Sequence, residues 1–227
     1  MANKTSKSTT LSEQIYDELY HDITDQRLVC GQKLTLKILK ERFGVSHTPI
    51  REALTRLAEN GLVTYYSNCG VTVTEFTEED IRQIYRFIGE LDAMAIQFCK
   101  NAFSEAPLLF ELEQILKKGN ALLEAGEIIA WKEYSEQIHT AFYHHAQNEY
   151  LNDAAKKVRA KVEVLSCMYY HQSSSVEDIN QFHTRIYELI QKRDFDQAAD
   201  LMRSHLQYDM VYALNAYKEY QEKNKIK

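Results

Sequence analysis

Apolar residues recur every three or four positions along most of the chain, so the first expectation is a protein built from helices. Leu11, Ile15, Leu19 and Ile23 form one such stripe behind Thr10-x-x-Glu13, the signature of a reciprocal capping box. A second, short helix is predicted from about Thr35 to Phe43, with Gly44 as its stop. A third follows: Ser46 suits its N-cap, Pro49 lies in the first turn where a missing N–H does no harm, and Ile50, Leu54 and Leu57 mark its buried face. Gly61 ends it. From Leu62 to Val73 the period falls to two (Val63, Tyr65, then Val71, Val73) around Ser67-Asn68-Cys69-Gly70, which predicts a hairpin. Three helices and a hairpin over residues 11–75 predict a winged helix-turn-helix, preceded by a polar, frayed arm at residues 1–10.

A new start signal, Thr77-x-x-Asp80, follows Glu75-Phe76, and the helical period then runs on, with Ile81, Ile84 or Tyr85, Ile88 and Leu91 as its first stripe. Breaks near Ser104–Pro107, Ala125–Gly126, Asn148, His171–Ser175 and Arg193–Asp194 divide the remainder into about six helices. The expected fold is mainly α. An N-terminal winged helix-turn-helix precedes a C-terminal all-helical antiparallel bundle over residues 76–222, with a short tail at 223–227. Seven Gly and two Pro in 227 residues leave little material for a large β domain.

The third helix carries candidate chemistry. His47, Arg51 and Thr55 recur on the side opposite its apolar stripe, and short hydroxyls with a guanidinium at a capped helix start are what major-groove reading needs. The same residues could instead cap and solvate an ordinary surface helix. Net charge is −6, but residues 1–76 hold nine basic and nine acidic side chains, so the deficit falls wholly in residues 77–227. A neutral reader implies contacts set by orientation and by dimerisation, not by bulk charge. Cysteines at 30, 69, 99 and 167 lack C-x-x-C spacing, which argues against a zinc ribbon or a disulfide framework. The opening MANKTSKSTT is not a signal peptide, and no apolar run approaches the ~20 residues of a membrane span. A cytoplasmic protein with no membrane partner is expected.

Six of eight histidines lie in residues 139–205, and His139, His183 and His205 sit on otherwise apolar faces. His183 and His205 stand at similar distances on either side of the break at Arg193–Asp194. In two antiparallel helices joined there, their side chains fall at one level. Facing imidazoles suggest a metal, and His139 could supply a third nitrogen. Inward histidines also occur as hydrogen-bonded core residues, and both readings stand at this point. His144 and His145 are adjacent and expected on different faces; His21 and His171 read as surface or loop.

The run CGQKLTLKILKERFGVSHTPIREALTRLAENGLV, followed by NCGVTV, resembles the winged-helix domain of the GntR family of bacterial transcription regulators. Cys30 stands where that family has Pro, and Asn68-Cys69 where a basic residue often precedes the wing glycine. The resemblance implies DNA contacts from Lys37, Ser46, Thr48 and Arg51, with His47 in a slot often filled by Arg and with Asn68 and Gly70 in the wing. SEQIHTAFYHHAQNEYL and FHTRIYELIQKRDFDQAADLMRSHL resemble the two signature regions of FCD, the effector domain of the FadR-like branch. Many members hold a divalent metal with one Asp and three His, and that metal, with an Arg from the first bundle helix, receives a small carboxylate. The resemblance implies His139, His183 and His205 as ligands to a divalent ion such as Zn, Ni or Mn, and Arg86 as the effector's arginine. The Asp position is Ser135, which implies weaker binding, an extra water, or no metal, as in acyl-CoA-responsive members. Arg86 could alternatively pair with Glu90 one turn later.

The resulting expectation is a homodimeric regulator, a repressor by preference, that binds a roughly palindromic double-stranded operator and senses a small organic acid. Two other classes compete. A metal-dependent hydrolase would also use three His, with Glu136 or Glu163 as a weak general base. A constitutive structural DNA-binding protein would use the bundle only to dimerise.

Overall fold

A computed structural model of the chain describes residues 10–66, 70–100, 104–169 and 173–225. The chain folds as two compact units, Met1–Phe76 and Thr77–Lys227. The predicted wing residue Asn68 lies outside the described residues.

In the first unit, α1 (Leu11–Thr24) starts at the capping box: Thr10 accepts from the Glu13 N–H, and the Glu13 carboxylate accepts from the Thr10 N–H. After β1 (Lys33–Leu34), Thr35 caps α2 (Leu36–Phe43), which ends at Gly44 with φ +66°, a left-handed conformation that glycine adopts without strain. That sharp exit releases the chain into α3 (His47–Glu59). Asp22 accepts from Arg27 Nε at 2.6 Å and pairs with Arg42, tying α1 to α2. Ile15, Leu19, Ile50, Leu54 and Leu57 are fully buried and form the core.

The wing is a three-stranded antiparallel sheet in the order β1-β3-β2, with β2 at Val63–Tyr66 and β3 at Gly70–Val73. Val63 faces Val73 and Tyr65 faces Val71, while Leu34 of β1 faces Val71 from the other side. The two-residue β1 has no periodicity of its own and was not predicted. It exists through pairing with β3.

The second unit comprises α4 (Glu78–Cys99), α5 (Ala106–Glu124), α6 (Ile128–Ala146), α7 (Glu149–Ser166), α8 (Ser173–Gln191) and α9 (Phe195–Lys225). Thr77 and Asp80 form the capping box of α4 as expected. Helices α4 and α9 pack against each other at Gly89, where a Cβ would meet Leu206 Cβ at 3.4 Å, in ordinary van der Waals contact. No helix among the described residues is long and apolar enough to cross a membrane.

Leu57 is completely enclosed, so truncating it removes apolar contact and leaves a cavity. Leu57→Ala should lower the stability of the first unit by about 2–5 kcal/mol in urea denaturation. A loss under about 1 kcal/mol would mean that this core is not as closely packed as its burial implies.

Candidate functional site

Two polar arrangements stand out, one exposed and one buried. On α3, Ser46, His47, Thr48, Arg51 and Thr55 are all exposed, opposite the buried Ile50, Ala53, Leu54 and Leu57. Ser46 occupies the N-cap in extended conformation, yet its side chain makes no capping hydrogen bond, so the hydroxyl is left for an outside acceptor. The neighbouring cations are engaged: Arg56 stacks on Tyr16 at 4.4 Å, and Arg42 pairs with Glu18 and Asp22. Among the described residues no ion pair engages Arg51. Lys37 on α2 and Gly70 at the start of β3 are exposed as well. A helix stitched down on one side, with its polar side open, can present donors to phosphates and base edges.

The buried arrangement lies in the second unit. His139 on α6, His183 on α8 and His205 on α9 are each at most 4% exposed, and their rings converge. His183 Nε2 lies 3.3 Å from His139 Nε2 and 3.0 Å from His205 Nε2. Burial, with the neighbouring charges and imidazoles, holds the His183 and His205 rings well below their ordinary value of 6.5, so both are neutral at pH 7.

Asp92 on α4 supports His139, with Oδ2 2.8 Å from His139 Nδ1. It also accepts from Tyr143 Oη and from Arg159 Nη2, while Arg159 Nη1 reaches Glu136 Oε2 at 2.9 Å. Burial alone would raise the Asp92 carboxyl, but Arg159 and His139 outweigh it and hold it well below the usual carboxylate range. An ionised Asp92 accepts at His139 Nδ1, which leaves Nε2 facing His183. On α9, His205 Nδ1 and Asp209 Oδ1 are 3.5 Å apart, both buried and without a hydrogen-bond partner. Burial pushes the Asp209 carboxyl well above its usual range.

This donor set fits a divalent cation. Three imidazoles that converge through their Nε2 atoms cannot all satisfy one another, since a single shared proton leaves another lone pair unmatched. An ion bound about 2.0–2.1 Å from each nitrogen sets neighbouring ligand nitrogens roughly 3.0–3.4 Å apart, the spacing His183 Nε2 keeps to each of the other two. Its charge would also favour ionised Asp209, which could then accept from His205 Nδ1. Ser135 is buried on α6 one turn before His139 and, with His183, Trp131, Tyr134, Ile138 and Asn180, lines a narrow cavity of about 10 Å³, room for about one water molecule.

Arg86 does not join this group. Its side chain is exposed on α4, because Tyr85 and Ile88 take the inward positions of that turn. Nor does it hold Glu90, which pairs with Arg203 of α9. The guanidinium near the histidines is instead Arg159, whose Nε is buried and lacks a hydrogen-bond partner. His144 and His145, expected on different faces, both contact Glu111 Oε2, at 3.3 and 2.7 Å, away from the three-histidine group. Asp92, Arg159 and Asp209 were missed in the sequence. The signals available were a lone carboxylate in the apolar stripe of Ile88, Leu91 and Ala95, and the i, i+4 spacing of His205 and Asp209.

Removing Arg159 would deprive the almost wholly buried Asp92 carboxylate of its guanidinium partner. Arg159→Met should therefore cost about 3–5 kcal/mol in chemical denaturation. A cost below about 1 kcal/mol would show that the pair does not hold these helices together.

Comparison with known proteins agrees with both halves. Residues 11–73 match the bacterial regulatory proteins of the gntR family, and residues 77–208 match the FCD domain. The HTH-type transcriptional repressor RspR of Escherichia coli (strain K12) is 28% identical over 87% of this chain and 86% of its own length. The HTH-type transcriptional regulator YdhC of Bacillus subtilis (strain 168) is 23% identical over 96% and 98%. Among solved structures, Escherichia coli McbR/YncC superposes with a TM-score of 0.77 over 93% of this chain and 99% of that one, at 22% identity. The families matched are those of regulators, not enzymes, which removes the hydrolase alternative. The chain belongs to the gntR family of bacterial regulatory proteins, a DNA-binding transcription regulator that carries a winged helix-turn-helix and an FCD effector domain.

Proposed function

We propose that the protein is a homodimeric repressor of a roughly palindromic operator, released from DNA when a small organic acid enters the FCD domain beside a bound divalent ion. The observation that carries the sensing half is the convergence of three buried imidazole Nε2 atoms. His139, His183 and His205 would hold the ion, which supplies positive charge for an anionic guest. Arg159 replaces Arg86 as the guanidinium, with its unpartnered Nε–H as donor to a carboxylate. Ser135 leaves the ion one carboxylate short, so an ion there would keep a position open to the effector.

On the DNA side, Arg51 reads a base edge or nearby phosphate, and Lys37, Ser46 and Thr48 hold phosphates, with His47 beside them and Gly70 in the wing. Two copies are needed to span two half-sites. The exposed Phe87, Met94 and Phe98 of α4 form an apolar stripe suited to pairing of two second units. The repressor name of RspR supports the sign of regulation. Effector binding near α4 would shift the population of arrangements available to the two readers, since the chain passes from β3 to α4 within a few residues.

Arg51→Ala should weaken retardation of an operator fragment by about 10- to 100-fold while leaving the melting temperature intact. Undiminished retardation would remove Arg51 from the interface. His183→Ala should lower the metal bound per protomer in elemental analysis after dialysis against a divalent salt. Unchanged stoichiometry would mean that the three imidazoles are packing residues.

A further inference from the structure

We propose that Glu111, His144 and His145 form a second binding site for a divalent transition-metal ion, on the surface of the second unit and separate from the three-histidine centre. Among the described residues, two groups of three potential ligand side chains bring their donor atoms within 4.8 Å of one another, and this is the other one. Its donors come from two neighbouring helices: Glu111 from the second turn of α5, and both histidines from the last turn of α6.

Adjacent residues on a helix point about 100° apart, so two of them meet at one point only through a difference in reach. His144 approaches Glu111 Oε2 with Nδ1, its near ring nitrogen, at 3.3 Å. His145 approaches the same oxygen with Nε2, its far one, at 2.7 Å. The rings stand tilted, with centroids 4.9 Å apart. An ion about 2.0–2.2 Å from each donor spaces its ligand atoms by roughly 3.0–3.5 Å, so His144 Nδ1 already keeps a ligand's distance and His145 draws back slightly. Each ring then carries its proton on the nitrogen turned away from the ion.

The charges at this place favour a cation. Among the described residues neither a lysine nor an arginine pairs with Glu111. The last carbonyls of α6 add the negative end of the helix dipole, and residues 77–227 carry 24 acidic against 18 basic side chains. Two imidazoles and one carboxylate suit Zn, Ni or Cu, whereas Mg and Ca take oxygen ligands. The His144 side chain is 74% exposed, so the remaining coordination positions face water and the ion exchanges readily. Bound there, it ties the start of α5 to the end of α6, the helix that also carries His139. The site depends neither on the operator nor on an ion at the buried histidines.

The test is modification of histidines in the full chain by diethyl pyrocarbonate, located by peptide mass spectrometry across a zinc chloride titration. His144 should react freely without metal and become protected by zinc, while His21 and His47, exposed elsewhere, should react alike throughout. Glu111→Gln and His145→Ala alter partly exposed side chains and should keep the melting temperature of the metal-free chain. Each should raise the zinc concentration that protects His144 by at least about tenfold, since losing a group that merely supports a metal ligand already costs that much. Magnesium at the same concentrations should give no protection. His144 reacting equally with and without zinc, an unchanged protection midpoint in Glu111→Gln, or equal protection by magnesium would each overturn the site. Because the reading is taken at His144, zinc uptake by the buried histidines alters none of these outcomes.

Discussion

Asp92 is a carboxylate that cannot remain buried alone. Taking such a charge out of water costs several kcal/mol, and the cost is recovered only when partners surround it with good geometry. Here Arg159 comes from α7, and Tyr143 and His139 come from α6, so three helices meet on one side chain of α4. The same contacts orient the His139 ring with its Nε2 toward His183. The histidine centre is thus a consequence of how the bundle neutralises its own charge.

The two units handle polar groups in opposite ways. In the FCD domain they are buried and mostly matched; of the exceptions among the described residues, Glu105 Oε1 lies at the start of α5, while Arg159 Nε and the His205–Asp209 pair belong to the histidine centre. A pre-organised site often leaves such loose ends for a ligand to complete. In the winged helix-turn-helix the apolar stripe of α3 is sealed while Ser46 and Arg51 are left open to an outside partner.

Much of this was legible before any coordinates. Helix stripes appeared where they were expected because a 3.6-residue period and a buried face are one statement in two forms. The facing of His183 and His205 followed from their distances to the turn at Arg193–Asp194, since antiparallel helices convert equal spacing into equal height. Arg86 failed for a related reason: one residue on a helix is about 100° of rotation, and Tyr85 holds the inward angle. Strand β1 and the shared approach of His144 and His145 to Glu111 depend on partners distant in sequence, and no local pattern announces them.

The succession of helices, the wing, the open face of the reading helix and the three inward imidazoles are all written in the chain, because each follows from periodicity, capping and turn chemistry within a few residues. Which charges meet in the interior was settled by packing: Arg159 and not Arg86 stands near the histidines, Asp92 serves His139, and Asp209 waits beside His205. The longest of those pairings joins residues 67 positions apart. Their energies depend on burial and distance, which exist only once the helices have packed.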